Sequence, residues 1–351
     1  MKKNILVAPL NWGLGHATRC IPIIQALKTN GFEPMIASDG VALELLKKEF
    51  PDITSFELPS YHIKYSKKGT FFRLQLLKDS PKMLSAISAE RKAVKKIIES
   101  HDIGGLISDN RFGVYHKKIP CVFITHQLRV LSGSTTWLSS RMHQKIISQY
   151  DECWVPDAVG SPNLSGKLGH VSIPNITIKY MGPLSRFTKK ELEMRNDIMV
   201  LLSGPEPQRS LLEEKLFSEF KFFDGKVLFV KGIVENEQKT VQNGSMTVCN
   251  YLVGKDLETA LNESQLIVSR SGYTTIMDLA KLGKKAFFIP TPGQFEQEYL
   301  ANRLMEDGLV PSCKQSDFTI EKLKEASNYG GLEAFDFQFN SKRLFQLFKS
   351  E

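Results

Sequence analysis

Short apolar runs alternate with longer stretches of helical apolar periodicity along most of this 351-residue chain. NILVA (4–8) predicts a buried strand, CIPIIQALKTNG predicts a helix that ends at Gly31, and FEPMIAS predicts a second strand. The alternation restarts at DIMVLLS (197–203), and KVLFVKG, TVCNYLV, QLIVS and KAFFIP follow at intervals suited to βα units. Because strands that alternate with helices form mostly parallel sheets, the pattern predicts an α/β protein with two Rossmann-like, doubly wound halves.

The region between the two halves is dense in Gly, Pro, Ser and Asn, a composition typical of a connection. We therefore expect an N-terminal domain over residues 1–170, a linker over 171–190 and a C-terminal domain over 191–335. The final SKRLFQLFKSE predicts an amphipathic helix, so residues 336–351 are expected to pack back on the N-terminal domain.

Composition narrows the class of partner. The net charge of +8 indicates an anionic partner, such as a nucleotide or a phospholipid surface. No basic cluster interleaved with aromatic residues resembles a nucleic-acid-binding module, so we expect no nucleic-acid partner. The five cysteines are scattered without CxxC spacing, which favours a reducing cytoplasm and no structural metal site. No apolar run approaches the roughly 18 residues of a transmembrane helix.

The stretch IVSRSGYTTIMD (267–278) carries the clearest sign of a ligand site. A strand that runs into a small-residue turn and then a helix directs backbone N–H groups and the positive helix end at one point. Ser271 and Gly272 would therefore bind phosphate there without a metal. Asp278, one turn into the helix, is an acceptor suited to ribose hydroxyls. Arg270 would contact the phosphate or pair with a local carboxylate.

Two further polar segments follow strands of the same half. In TPGQFEQEYLANR, Gln294 and Gln297 offer amides that both donate to and accept from sugar hydroxyls. In SGPEPQR (203–209), Ser203 and Gly204 could approach a diphosphate and Arg209 could meet its charge, although an ordinary βα loop would look similar. Because the carboxyl ends of parallel strands share one edge, these segments are expected to meet at a nucleotide site.

The N-terminal loop GLGHATR (13–19) resembles a dinucleotide fingerprint, with Gly13 and Gly15 in place but Thr18 at the third glycine position. With Asp39 as the ribose acid, a nicotinamide-dependent dehydrogenase is an alternative. His16 lies between Gly15 and the predicted helix, where it is either a general base for a hydroxyl or a structural, capping histidine.

Polar residues also end two other predicted strands of the N-terminal half. Asp109 and His126 would orient an acceptor or close loops. Residues 64–83 mix lysines and an arginine with FF and LQLL. Such a segment either rests on an anionic membrane surface or forms a helix with a solvated basic face.

Together GLGHATR, YMGPLSRF, SGPEPQR and SRSGYTTIMDLAKLG with IPTPGQFEQEYLA resemble the two-domain glycosyltransferases of the GT-B fold. The chain is most similar to the peptidoglycan-type (MurG-like) N-acetylglucosaminyltransferases and the allied bacterial glycolipid synthases. The resemblance covers the whole chain and is most specific between Ser269 and Asn302. It implies two Rossmann-like domains facing across a cleft, an N-terminal one for the acceptor and a C-terminal one for a nucleotide-sugar donor.

By motif, the resemblance implies site residues in both halves. The donor-binding residues would be Ser203, Gly204, Arg209, Leu252, Val253, Arg270, Ser271, Gly272, Thr274, Asp278, Gln294 and Gln297. The acceptor-binding residues would be Gly13, Gly15, Asp109 and His126, with His16 as the catalytic base. Leu252 and Val253 would flank the base of the nucleotide through their main chain. The run Glu-Gln-Glu replaces the paired glutamines common in the family, which leaves the donor sugar open.

The expected function is that of an inverting, metal-independent glycosyltransferase. It would move a hexose or N-acetylhexosamine from a UDP-sugar to a hydroxyl of a lipid-linked or cell-envelope acceptor. The nucleotide-sugar is a substrate, and no cofactor or metal is expected. The expected location is the cytoplasm, or the inner face of the cytoplasmic membrane as a peripheral protein. The alternatives are a UDP-sugar 2-epimerase of the same fold, the dehydrogenase, and a non-catalytic nucleotide-binding protein.

Overall fold

A computed structural model describes residues 2–61, 72–233, 235–332 and 339–349, and for residues 72–81 it describes the backbone alone. The chain divides into two compact units with their boundary between Arg186 and Phe187, and residues 339–349 belong to the first. Most of the segment expected to rest on a membrane, residues 64–83, lies outside the described residues and side chains.

The N-terminal unit is built on a seven-stranded parallel sheet in the order β3-β2-β1-β4-β5-β6-β7. Its strands are β1 (Asn4–Pro9), β2 (Glu33–Ser38), β3 (Ser55–Glu57), β4 (Ile103–Asp109), β5 (Cys121–Ile124), β6 (Glu152–Val155) and β7 (Thr177–Tyr180). Its helices are α1 (Gly15–Thr29), α2 (Gly40–Glu49), α3 (Phe72–His101) and α4 (Thr136–Ile147), with single 3₁₀ turns at Gly133–Thr135 and Gly166–Leu168.

The C-terminal unit holds a six-stranded sheet in the order β10-β11-β9-β8-β12-β13. Its strands are β8 (Asn196–Leu201), β9 (Val227–Val230), β10 (Thr240–Asn243), β11 (Met246–Cys249), β12 (Ser264–Ser269) and β13 (Lys285–Phe288). Its helices are α5 (Gln208–Phe220), α6 (Gly254–Asn262), α7 (Tyr273–Leu282) and α8 (Phe295–Glu306), followed by 3₁₀ segments at Gln315–Asp317 and Ile320–Asn328. All pairs are parallel except the β10–β11 hairpin at the edge.

Both sheets are doubly wound, as predicted, and the central strands are buried because helices cover both faces of such a sheet. In each sheet the strand order reverses between two neighbours: β1 and β4 in the first, β8 and β12 in the second. Ligands of open α/β sheets bind beyond the carboxyl ends of the strands at this point. The loops after these four strands therefore lie where a site is expected. Among the helices in the described part of the chain, none is long and apolar enough to span a bilayer.

The linker expected over residues 171–190 is wrong for its central part. Residues 177–180 form β7, which pairs with β6 from Glu152 opposite Thr177 to Val155 opposite Tyr180. This edge strand pairs on one side and has no fully buried residue, so no apolar run marks it among the surrounding Gly, Pro and Asn residues.

The end of the chain also differs from the amphipathic helix that was expected there. The described part has one α-helical turn, α9 (Ser341–Leu344), followed by a 3₁₀ turn over Phe345–Phe348. Residues three apart eclipse one another in a 3₁₀ turn, so Phe345 and Phe348 share a side. Both rings lie within 6.3 Å of the Phe32 ring and within 6.1 Å of Trp154, centroid to centroid. A Cβ on Gly105 would lie 2.5 Å from the Phe348 ring, so only glycine allows this close approach.

Replacing Phe345 with alanine should lower the free energy of unfolding by about 3–5 kcal/mol, because it leaves a cavity between Phe32 and Trp154. Phe222→Ala is the matched control: the Phe222 side chain is 86% exposed, and its loss should change stability by less than about 0.5 kcal/mol. Urea unfolding followed by far-ultraviolet circular dichroism, which reports on both units, measures both. Equal effects of the two substitutions would show that the C-terminal segment does not stabilise the unit.

Candidate active site

The glycine loop after β1 delivers His16 to the carboxyl edge of the first sheet. Gly13 has φ +76°, a left-handed conformation that glycine adopts freely, and α1 begins two residues later. The loop is fixed at its start by Asn11, whose Nδ2 donates to Asp39 Oδ2 at 3.2 Å and whose Oδ1 accepts from the Ala42 N–H at 3.4 Å.

His16 and Asp109 form a hydrogen-bonded pair at this edge. His16 Nδ1 lies 2.9 Å from Asp109 Oδ1, and the Asp109 carboxylate at the end of β4 is fully buried. The His16 side chain keeps 15% of its surface exposed. An imidazole held through Nδ1 by a carboxylate presents Nε2 as the atom that can exchange a proton with a substrate.

A third residue, Arg19, completes the cluster and was not anticipated as a site residue. Its Nε donates to Asp109 Oδ2 at 2.5 Å and its NH2 group donates to Asp109 Oδ1, so the guanidinium holds the carboxylate with two bonds. The spacing of three residues from His16 was the available signal, because residues i and i+3 share a helix face. The ring Nδ1 of His126 lies 3.5 Å from Arg19 NH1, which brings three of the predicted residues together.

The charges of the cluster set its protonation. Burial and the positive charge of Arg19 lower the pKa of His16, and these effects outweigh the opposite influence of Asp109. Burial would raise the pKa of Asp109, but Arg19 and His16 together hold it below the usual range. At neutral pH the cluster therefore holds an ionised Asp109, a charged Arg19 and a neutral His16.

The Asp39 carboxylate is held by a buried ion pair within the fold, so the ribose-binding role considered for it is wrong. Its Oδ1 accepts from Arg111 NH1 at 2.6 Å, and its side chain is buried. Arg111 also pairs with the fully buried Glu90 of α3, and Glu90 accepts from the Tyr61 hydroxyl at 2.6 Å. A dinucleotide ribose would have to compete with Arg111 and Asn11 for the Asp39 carboxylate and would break a buried ion pair.

In the C-terminal unit, β12 runs through Ser269 into the predicted turn and α7. The N-cap residue of α7 is Gly272, which has no side chain to cap the helix, and the first helical bond runs from the Ile276 N–H to the Gly272 carbonyl. The preceding backbone N–H groups lie at the positive end of the helix dipole. The turn before α7 is fixed to α8 by a hydrogen bond, in which the Ser271 hydroxyl donates to the Gln297 carbonyl at 2.8 Å.

Gln297 connects this turn to the loop after β13. Its side-chain Oε1 accepts from the Thr291 N–H at 2.8 Å, which fixes the amide and leaves its nitrogen as a donor group. Gln294 is the N-cap residue of the same helix, α8. Thr274 and Asp278 are half-buried on α7. The backbone of Leu252 and Val253 leads into α6, with the Val253 side chain exposed.

The two arginines proposed for the diphosphate are both engaged elsewhere. Arg209 lies between Glu206 and Glu213, so its charge is already neutralised. Arg270 is buried, and among the described residues it donates to neutral acceptors, namely the carbonyls of Ile289, Pro290 and Gln208 and the Gln315 side-chain oxygen. Both side chains thus fix loops, and in the described part of the chain the Arg270 Nε is a buried donor with no hydrogen-bond partner.

Arg270 nevertheless adds positive charge to this edge of the sheet. Burial lowers the pKa of Arg270 to about 10, so it stays charged at neutral pH. Ser203 and Gly204 follow β8 and are exposed, and Gly204 has φ +106°. The loops after β8, β12 and β13 therefore share one edge through the bonds of Arg270, as the sequence predicted.

The chain is similar in sequence to known glycosyltransferases. Residues 213–335 match the glycosyltransferase family 28 C-terminal domain. An uncharacterized glycosyltransferase from Methanopyrus kandleri is 24% identical, over 86% of this chain and 90% of that protein. A protein from Clostridium tetani is 26% identical, over 95% and 96%. Its name is UDP-N-acetylglucosamine--N-acetylmuramyl-(pentapeptide) pyrophosphoryl-undecaprenol N-acetylglucosamine transferase.

The fold agrees with these sequence matches. The crystal structure of Acinetobacter baumannii MurG superimposes with a TM-score of 0.59 at 15% identity and covers 99% of each chain. The spinosyn forosaminyltransferase SpnP superimposes with a TM-score of 0.66 at 11% identity over the full length of both chains. Taken together, the two doubly wound units, the family 28 match over residues 213–335 and the similarity over most of the chain show a glycosyltransferase of the GT-B fold that is similar to MurG.

Proposed function

We propose that this glycosyltransferase moves a hexose or N-acetylhexosamine from a UDP-sugar to a hydroxyl of a lipid-linked acceptor, with inversion and without a metal. The hydrogen bond between His16 and Asp109 carries the proposal, because it leaves Nε2 of a neutral imidazole to accept a hydroxyl proton. The name of the Clostridium tetani relative supports a UDP-linked donor and a polyprenyl-linked acceptor.

In this proposal the C-terminal unit binds the donor. The backbone of Ser271 and Gly272 at the start of α7 receives the diphosphate, and Asp278 accepts from the ribose hydroxyls. The Gln297 amide nitrogen donates to the sugar, with Gln294 beside it at the N-cap of α8. The main chain of Leu252 and Val253, with Thr274 and the exposed Ser203–Gly204 turn, would complete the site.

The proposed reaction is a single displacement. The acceptor oxygen forms a bond to the anomeric carbon as the bond from that carbon to the diphosphate breaks, and one displacement inverts the configuration. The hydroxyl proton passes to His16 Nε2. The charge on the departing diphosphate is stabilised by the positive end of α7, which is the contribution that a metal ion makes in other enzymes.

Gln297→Glu should weaken binding of UDP-sugars about tenfold and leave UDP binding unchanged. The substitution keeps the oxygen that accepts from Thr291 and removes the donor proposed for the sugar. Calorimetric titrations with UDP, UDP-N-acetylglucosamine, UDP-glucose and UDP-galactose, with and without EDTA, measure this and rank the sugars. Gln25→Leu, at an exposed position of α1, is the control. Equal loss for UDP and UDP-sugars would contradict the sugar contact, and loss of binding in EDTA would contradict metal independence.

His16→Ala should lower sugar transfer by about 10²–10⁴-fold while donor affinity stays unchanged, because only the proton acceptor is removed. The measurement is incorporation of carbon-14 from labelled UDP-sugars into organic-soluble product, with a bacterial lipid extract as the acceptor source. His116→Ala serves as the control, since His116 bonds locally to the Lys118 N–H away from the cluster. Turnover of His16→Ala within a few-fold of wild type would disprove the base assignment.

We also propose that the N-terminal unit binds an anionic bilayer, so that the enzyme works peripherally at the inner face of the cytoplasmic membrane. The side chains of Trp137, Leu138 and Met142 on α4 are 69%, 51% and 60% exposed. Arg141, with its guanidinium 5.5 Å from the Trp137 ring centroid, and Lys145 lie on the same face. These five residues are the α4 face.

Charge supports an anionic partner for the α4 face. Residues 110–150 contain no Asp or Glu. Exposed aromatic and aliphatic side chains interleaved with cations suit the boundary between lipid headgroups and acyl chains. Each cation near such a surface contributes about 1 kcal/mol of attraction, which salt weakens.

Changing Trp137, Leu138 and Met142 together to serine should reduce binding to phosphatidylglycerol vesicles at least about tenfold, through loss of buried apolar area. Sedimentation at low and high salt measures binding. The matched control changes Leu211, Phe222 and Val241 of the C-terminal unit to serine, which removes a similar exposed apolar area. Wild-type binding that is equal for neutral and anionic vesicles would contradict the electrostatic part of the proposal. Unchanged binding of the α4 variant would contradict the surface.

A further inference from the structure

Arg19 occupies an unusual place for a cation, next to a proposed base and almost fully buried at 2% exposure. Its guanidinium makes two bonds to Asp109, and its NH2 nitrogen also lies 2.9 Å from His16 Nδ1. Nδ1 thus faces a carboxylate oxygen and a guanidinium nitrogen at the same distance.

This geometry favours the two neutral forms of the ring over the cation. With a proton on Nδ1, His16 donates to Asp109. Without that proton, Nδ1 accepts from Arg19. In the doubly protonated ring, Nδ1–H can no longer accept from Arg19, and the positive ring faces the positive guanidinium at the same short distance.

Among the described residues, the other groups around His16 add no second carboxylate. On α1 these are Arg19 and Cys20, whose thiol donates to Asp109 Oδ2 at 3.7 Å. On β4 the group is Asp109, and beyond β5 it is His126. In the described part of the chain Asp109 already pairs with one permanent cation, Arg19, and protonation of His16 would place a second cation on the same carboxylate.

We propose that Arg19 is a positioning residue that keeps His16 neutral. Because Arg19 already neutralises the Asp109 carboxylate, that carboxylate orients the His16 ring but does not stabilise an imidazolium. The inference deepens the proposed function, because it rests on His16 as the base. A base that stays neutral is ready for the acceptor hydroxyl at each turnover and gives up its proton readily afterwards.

The test is a pH titration of the His16 ring by nitrogen-15 NMR in histidine-labelled protein, with the His16 signals assigned from a His16→Asn variant. The wild-type ring should titrate below about 6.5, the ordinary value for histidine. In Arg19→Gln the midpoint should rise by about one unit or more, since the positive charge beside His16 is gone and the Asp109 carboxylate can then stabilise the imidazolium. Arg19→Lys, which keeps the charge but loses the fork, should shift it less.

Two further measurements keep the test decisive. Arg91→Gln removes an exposed arginine of α3 that bonds to Gln149, and its His16 midpoint should equal that of wild type. The acid limb of sugar transfer should move with the NMR midpoint, so that Arg19→Gln loses more activity at pH 6 than at pH 8. A purely structural role would lower activity equally at all pH values.

An unchanged midpoint in both Arg19 variants would overturn the proposal. A wild-type midpoint above the ordinary histidine value would overturn it even if Arg19→Gln does not fold. The titration needs no turnover. An active His16→Ala enzyme would therefore refute the base while the NMR result on Arg19 still stands or falls separately.

Discussion

The buried carboxylate of Asp109 is the constraint around which the N-terminal site is organised. A charge without solvent must be matched by partners within the fold, and breaking such a pair costs several kcal/mol. Arg19 and His16 of α1 provide the match, and the Asp109 carbonyl also accepts from the Leu10 N–H of the glycine loop. One residue at the end of β4 thereby fixes the loop and the helix that follow β1. Two residues later, Arg111 does the same for Asp39 at the end of β2.

In the C-terminal unit the buried charge that connects the loops is positive, and it belongs to Arg270. Arg270 ties together three loops through carbonyl oxygens, which orient the guanidinium but do not cancel its charge. The charge of Arg209, near the start of α5, is neutralised by two glutamates. Buried arginine without a carboxylate is costly by itself. The difference is understandable if a ligand anion belongs beside Arg270, since the edge of the sheet would then be neutral only when loaded.

Local patterns predicted what depends on neighbours in the chain. The strands, the helix that begins at Gly15 and the helix that begins at Tyr273 follow from apolar periodicity and small-residue turns. The partners of charged side chains could not be predicted in this way, because they come from distant segments: Arg19 and Asp109 are 90 residues apart. The outer strand of the β10–β11 hairpin, β10, was missed because it is exposed along its whole length and carries no apolar run.

The C-terminal segment affects the order in which the two units of this protein can complete their folding. Phe345 and Phe348 cover Phe32, Trp154 and the bare backbone at Gly105, so the first sheet is finished by the far end of the chain. During synthesis the C-terminal unit leaves the ribosome before those two rings do, and domains generally fold as they emerge. The N-terminal unit is therefore the first to start folding and the last to be completed. Until those two rings are in place, the apolar surface that they cover on the N-terminal unit is exposed and accessible to chaperones.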